Sequence, residues 1–185
     1  MKTLFVEREI AYSGEQLRSR WIEEEFGLEG DAAVAFVGRC DVERKWMVDL
    51  EDLAAGSEIR ADRMLHFIAQ HLDADIERAA LRQRMLAALA AELLNEMGKK
   101  GKVERRGDDL YVGDGKLSVS IATASARSEL IHFGVNITVA GVPVKAASLN
   151  DLGVEPIVFA QKLLEGYARE MGEIERSTKK VRFVK

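Results

Sequence analysis

The chain has 185 residues, of which 47% are hydrophobic and 31% are charged, and its formal net charge is −4. This length suits one domain, and no run of about 18 apolar residues is present that could span a bilayer. Residues 1–7 turn polar before the apolar stretch of a secretory signal could form. We therefore expect a single domain, residues 1–185, that is cytoplasmic and has no membrane partner.

Two compositional features exclude further classes of protein. Cys40 is the only cysteine, which excludes an internal disulfide and a cysteine-based zinc site. His66 and His71 are five residues apart, which is not the spacing of a zinc protease, so the sequence has no zinc, haem or flavin signature and we assign no residue as a metal ligand. The net acidity speaks against nucleic acid as a partner. The basic residues within 99–106 either end a helix or bind a phosphate.

The N-terminal half predicts helices and short strands. Ser13 and Gln16 form a capping-box pattern that predicts a helix over residues 14–25. Short apolar runs predict three strands, at residues 33–37, 46–50 and 64–68. A long helical pattern then begins after the Asp73-Ala74-Asp75 segment and ends at Gly98, with Arg82 and Gln83 expected to face solvent.

The C-terminal half predicts a group of strands and one more helix. The strands are expected at residues 103–105, 110–112, 116–123 and 130–139, with Leu117, Val119 and Ile121 on one sheet face. Gly113-Asp114-Gly115 predicts a tight hairpin. Pro156 suits the first turn of a helix, and residues 179–185 form a tail or an edge strand. We therefore predict an α+β fold with a mixed or mainly antiparallel sheet flanked by helices.

The segment from Asp108 to Asn136 carries the most specific signal. Asp109-Leu110-Tyr111 leads through the glycine turn to Lys116, and a later strand contains Gly134-Val135-Asn136. This pattern resembles the catalytic hairpin of the biotin and lipoate protein ligase superfamily. The fuller pattern of the chain also resembles an uncharacterised, mainly archaeal protein family.

The resemblance implies a role for several residues. Lys116 corresponds to the catalytic lysine, which contacts a carboxylate and a phosphate. Substrate binding is expected at Gln16 and Arg18, near a predicted helix N-terminus that attracts anions, and at His132. The residues expected to bind a nucleotide cofactor are Gly38, Arg39, Arg44, Asp109, Gly134 and Asn136.

The implied reaction joins a small carboxylic acid to the α-phosphate of ATP, with Mg²⁺, or transfers an acyl group. A cation next to both reactants would neutralise the charge that develops as pyrophosphate leaves. The implied partners are a small carboxylic acid or a nucleotide. An acceptor protein as a further partner, and assembly into a homodimer, are both left open.

The sequence also supports a non-catalytic alternative. The glycine-arginine loop of biotin ligases is reduced here to Gly38-Arg39-Cys40-Asp41, and an aspartate beside a phosphate would repel it. A ligand-binding or protein-interaction domain on the same fold is therefore the alternative function. Acyl transfer through a cysteine is disfavoured, because no cysteine follows the strand that contains His132.

Several residues also have ordinary structural interpretations. Lys116 could be a solvated hairpin end, and Asp108 is typical of a turn. Gln16 suits a helix cap, and His132 suits a satisfied core position.

Overall fold

The structure is a computed structural model that describes residues 1–184. The strands are β1 (Lys2–Val6), β2 (Ala32–Asp41), β3 (Arg60–His71), β4 (Val103–Arg106), β5 (Asp109–Val112), β6 (Gly115–Lys116), β7 (Ser118–Ala124) and β8 (Glu129–Asn136). The helices are α1 (Trp21–Phe26), α2 (Leu50–Ala55), α3 (Ile76–Met97), α4 (Leu149–Leu152) and α5 (Pro156–Lys179), and Arg44–Trp46 forms a 3-10 turn.

A five-stranded sheet in the order β1-β2-β3-β8-β7 forms the centre of the fold. Only the edge pair β1 and β2 is parallel within it. Strands β4, β5 and β6 form a second, antiparallel sheet. The structure confirms the predicted α+β fold with a mainly antiparallel sheet and flanking helices.

The two faces of the large sheet bury different cores. On one face, Phe67 and Phe133 pack with Leu94 of α3 and with Phe159 and Tyr167 of α5. On the other face, side chains of β2 and β3 pack with α1 and with the segment that precedes it. Side chains alternate between faces along a strand, so neighbouring residues of β3 and β8 serve different cores. The second face borders the cavity described below.

Local signals explain the two long helices. The carboxylate of Asp75 accepts hydrogen bonds from the first backbone amides of α3, and Gly98 follows its last residue, as predicted. Pro156 begins α5, and the carboxylate of Glu155 caps it. Beyond α5, residues 181–184 have no regular structure, and Lys185 lies outside the described residues.

Two N-terminal predictions are wrong. Residues 14–20 form turns rather than the start of a helix, because Gly14 and Arg20 adopt left-handed backbone conformations and only Trp21–Phe26 is helical. Residues 46–50 are not a strand. The carboxylate of Asp49 accepts hydrogen bonds from the amides of Glu51 and Asp52 and starts α2 instead.

The predicted strand at residues 116–123 is divided between the two sheets. Lys116 ends β6, and Ser118 begins β7 in the large sheet. Leu117 lies between them and is buried in the core beneath α3, whereas Val119 packs on the opposite face. The prediction that their side chains share one face is therefore wrong, because the chain changes sheets at this point.

The prediction of solvent exposure on α3 is also wrong. Gln83 is buried and donates hydrogen bonds to Asp108 (2.8 Å) and Ser120 (2.9 Å). Arg82 is paired with the buried Glu129. Within residues 1–184, no helix combines the length and apolarity that crossing a bilayer requires.

Candidate functional site

A cavity of about 390 Å³ lies on the face of the large sheet opposite α3 and α5. Side chains of β3, β7 and β8 form its floor, and residues 42–60 together with Tyr12 cover it. This volume is within the range of small-molecule sites. The residues of the lining that matter most below are Tyr12, Trp46, Asp109, Lys116, His132 and Asn136.

Lys116 reaches the cavity from the β5–β6 hairpin, where it pairs with Tyr111. Its Nζ lies 2.6 Å from Oδ2 of Asp109, with 31% of the lysine side chain and 20% of the aspartate side chain exposed. The structure thus brings the predicted catalytic lysine and Asp109 together in a half-buried ion pair. A catalytic role for Lys116 stays a prediction.

The ion pair keeps the lysine charged. Burial lowers the pKa of Lys116, but the hydrogen bond and charge of Asp109 outweigh that effect, so the pKa is raised. Burial raises the pKa of Asp109, and the hydrogen bond from Lys116 opposes this rise only in part. An ammonium group has three donors, and Asp109 accepts from one of them. Among residues 1–184, no second carboxylate lies within ion-pair distance of this ammonium group, so the other two donors can bind a ligand.

Backbone hydrogen bonds hold Lys116 in place. Its N–H donates to the carbonyl of Lys145 (2.9 Å), and its carbonyl accepts from the N–H of Ala147 (3.0 Å). The side-chain amide of Asn136 donates to the carbonyls of Lys116 (3.1 Å) and Ala147 (3.2 Å). Asn136, predicted to bind a cofactor, therefore lines the cavity and also positions the lysine.

Acidic side chains dominate the charge of the cavity. Lys116 and Arg60 are its two cations, and its carboxylates are Asp49, Asp52, Glu58, Asp108 and Asp109. A triphosphate would be repelled by this excess of carboxylates. Across residues 1–184, no group of three or more His, Cys, Asp or Glu side chains could hold a metal ion. Mg²⁺ bound with a nucleotide usually needs only one or two carboxylates besides the phosphates, so ATP and Mg²⁺ stay a prediction.

The glycine-arginine loop that was predicted to bind a nucleotide, residues 38–41, does not line the cavity. Residues 38–41 belong to β2, and the exposed side chain of Arg39 pairs with Asp41 at 2.9 Å. Gly38 is buried, and a Cβ at this position would lie 1.8 Å from the carbonyl oxygen of Ile10. Arg44 lines a neighbouring pocket of about 290 Å³ rather than the main cavity. The structure thus gives Gly38 a packing function.

The other predicted binding residues have mostly structural contacts. The side chain of Gln16 accepts from the N–H of Ser13 and donates to the carbonyl of Ala11, so it holds a turn together, although no helix begins here for it to cap. Arg18 is exposed and pairs with Glu24. Gly134 makes room for Met64, because a Cβ there would lie 2.4 Å from the methionine sulphur. None of Gln16, Arg18 and Gly134 lines the cavity.

His132 does line the cavity, as part of a buried aromatic cluster. Nε2 of His132 lies 3.0 Å from Nδ1 of His66. The ring of Tyr12 stacks on His132, with 3.8 Å between centroids and 9° between planes. Burial lowers the pKa of His66 to about 3 and holds the pKa of His132 well below its usual value. Both imidazoles are therefore neutral at neutral pH.

Acid should destabilise the protein through these histidines. The pKa of His66 is 6.5 in the unfolded chain and about 3 in the folded one. The unfolded chain binds more protons between these values, so stability falls as the pH is lowered from 6.5 towards 3. His66 alone should cost roughly 2 kcal/mol at about pH 5 relative to pH 7. Urea denaturation at both pH values tests this, and His66→Asn should show a shallower fall.

Sequence reasoning missed the cover of the cavity. Trp46 was placed in a strand, although Asp49 three residues later has the pattern of a helix cap that would have corrected this. Tyr12 joins the site through a backbone bridge to Cys40, which no local pattern indicates. Val142, Pro143 and Val144 complete the lining from the segment after β8.

Comparison with known proteins identifies the family. Residues 1–182 match the model of a family described as "Domain of unknown function (DUF366)". The chain belongs to this family. A relative by sequence is "Uncharacterized protein MJ0805" of Methanocaldococcus jannaschii, which is 34% identical over 187 residues, covering 97% of this chain and 84% of the relative.

Solved structures extend the comparison from the DUF366 family to its fold. "Protein of Unknown Function from Pyrococcus horikoshi" matches with a TM-score of 0.95 and 39% identity, over 100% of this chain and 99% of that one. The biotin acetyl coenzyme A carboxylase synthetase of Helicobacter pylori, solved with bound biotinylated ATP, matches with a TM-score of 0.58 and 16% identity, over 91% and 75%. Lipoate protein ligases share the fold as well.

Proposed function

We propose that the cavity binds a small carboxylic acid, with Lys116 holding the carboxylate, and that the protein activates or transfers this acid. One observation carries the proposal: a charged, half-buried lysine is fixed at the wall of a cavity large enough for a small molecule. The fold of biotin and lipoate ligases supports a ligand of this class.

The geometry suits a carboxylate at Lys116. Asp109 keeps the lysine protonated and aims its Nζ, and two ammonium donors remain for the oxygens of the ligand. The acidic lining disfavours a ligand with several negative charges more than one with a single carboxylate, because the two cations of the cavity already face five carboxylates. Apolar side chains such as Val119 and Val142 would pack against the body of the acid.

The acidic lining also favours a second candidate, a binding module without catalysis. Arg39 does not line the cavity, so among the described residues only Lys116 and Arg60 remain to offset the charge of a departing pyrophosphate. Such a module would bind the acid at Lys116 and leave it unchanged.

Lys116→Met separates these functions, since it keeps the apolar stem and removes the charge. In a panel of medium-chain acids, the wild type should be stabilised in melting experiments by its preferred acid, and Lys116→Met should lose that shift. If the protein is an enzyme, this acid should also stimulate pyrophosphate release from ATP, or its thioester should be consumed. Lys116→Met should lower that rate by about 10²-fold or more.

Lys145→Met is the matched control. Lys145 is also next to the hairpin, but its exposed side chain pairs with Asp114. This variant should behave as the wild type in both assays. Acid-dependent stabilisation without turnover would favour the binding module, and equal binding by Lys116→Met and the wild type would contradict both functions.

A further inference from the structure

The hydrogen bond between His66 and His132 determines what His132 offers to the cavity. Each neutral imidazole carries one N–H and one bare nitrogen. The bond between Nδ1 of His66 and Nε2 of His132 therefore uses the proton of one ring and the lone pair of the other. Whichever ring donates here must present its bare nitrogen on the opposite side.

The surroundings of His66 determine which of the two imidazoles donates this hydrogen bond. Its Nε2 is buried and makes no hydrogen bond of normal geometry. Burial lowers the pKa of His66, and an interaction with the backbone of Gly38 opposes this effect, so Gly38 presents its carbonyl to the ring. Because Nδ1 faces His132, this carbonyl belongs on the Nε2 side. A bare lone pair facing a carbonyl oxygen would be repelled, so we place the proton of His66 on Nε2. Nδ1 of His66 then accepts, and Nε2 of His132 donates.

His132 is consequently left with a bare Nδ1. The residue is 3% exposed and lines the cavity. In the part of the chain that the structure describes, this nitrogen has no protein partner, while the stacked ring of Tyr12 fixes the plane of the imidazole. A rigid, unpartnered acceptor at the floor of a cavity points to a donor on the ligand.

We propose that His132 is a specificity-determining residue whose Nδ1 accepts a hydrogen bond from a neutral O–H or N–H group of the ligand. The ligand is then a carboxylic acid with a hydroxyl or amide group remote from its carboxylate, a statement that rests on the proposed function for the carboxylate end. The neighbours Tyr12, Phe36 and His66 are uncharged rings, so a charged amine at this floor would lose its hydration without compensation.

The protonation state can be measured without any variant. In the wild type labelled with ¹⁵N-histidine, long-range ¹⁵N–¹H spectra at neutral pH should show His132 and His66 as neutral rings that both carry the proton on Nε2. A proton on Nδ1 of His132, or a charged His132, would overturn the inference.

Ligand discrimination tests the recognition itself. By calorimetry, ω-hydroxyoctanoic acid should bind at least about tenfold more tightly than its methyl ether or octanoic acid, since an unpaired buried acceptor is costly. His132→Phe should abolish this preference, so that the three acids bind to the variant with similar affinities. Equal binding of the three acids by the wild type, or tighter binding of ω-aminooctanoic acid than of the hydroxy acid, would overturn the inference.

The two proposals can fail separately. If none of these acids binds, the proposed function fails, and octanol and octanamide become the probes because they keep the donor without the carboxylate. Binding of these two by the wild type but not by His132→Phe would support the role of His132. No binding of either would overturn it. Should His132→Phe not fold, the tautomer measurement and the comparison of ligands on the wild type still decide the question.

Discussion

A Gly38→Ala variant is expected to be strongly destabilised. Its Cβ would lie 1.8 Å from the carbonyl oxygen of Ile10, which is far closer than non-bonded atoms approach. This obstacle is backbone held to the sheet, because Ile10 donates to the carbonyl of Val37 (3.0 Å) and Tyr12 to that of Arg39 (2.8 Å). The segment that contains Ile10 and Tyr12 must therefore detach from β2. We expect a loss of about 3 kcal/mol or more in urea denaturation.

Gly172→Ala is the control for this substitution. Gly172 lies within α5, and no atom lies within 4 Å of a Cβ built there. Alanine should stabilise this helix by about 0.5–1 kcal/mol. If Gly38→Ala were as stable as the wild type yet failed to bind ligands, the packing role assigned to Gly38 would be wrong and a binding role would be favoured.

Arg82→Met is expected to destabilise the protein by about 3–5 kcal/mol. The side chain of Glu129 is fully buried, and its ion pair is with Arg82, which is 21% exposed. Its Oε1 has no hydrogen-bond partner within the described residues, so the arginine is the main compensation for the buried carboxylate. Removing that compensation leaves a buried charge, which chemical denaturation at neutral pH should detect.

Two further variants show whether the unpaired charge causes this loss. Arg82→Met combined with Glu129→Met removes both charges and should recover most of the stability. Arg84→Met affects a half-exposed residue on the same helix, 4.0 Å from Asp108, and should cost less than about 1 kcal/mol. Equal losses for Arg82→Met and the double variant would mean that packing, rather than the unpaired charge, sets the cost.

The elements that could be predicted from the sequence depend on local chemistry. The ends of α3 follow from Asp75 and Gly98, the start of α5 follows from Pro156, and the hairpin before Lys116 follows from its glycines. The predictions failed where contacts between residues far apart in the sequence determine the structure. Gln83 was expected to face solvent, but the small sheet packs over it and Asp108 accepts its hydrogen bond.

The candidate site could be predicted in part. The resemblance to ligases placed Lys116, Asp109, His132 and Asn136 in the site, and all four line the same cavity. A glycine at position 38 could make room either for a bound ligand or for a crossing backbone, since both require the absence of a side chain. The resemblance to ligases could not distinguish these two reasons. The carboxylates of the cover were missed because residues 49–58 approach the sheet only in the folded chain.

The connection after β8 gives the site a mechanical property. Val142, Pro143 and Val144 line the cavity, and the next residues of the chain, from Lys145 to Ala147, hold the backbone of Lys116 by hydrogen bonds on both its N–H and its carbonyl. Part of the cavity lining and the segment that fixes the lysine backbone are thus one continuous stretch of chain. A substitution that shifts residues 142–144 should therefore also shift the position of the Lys116 charge.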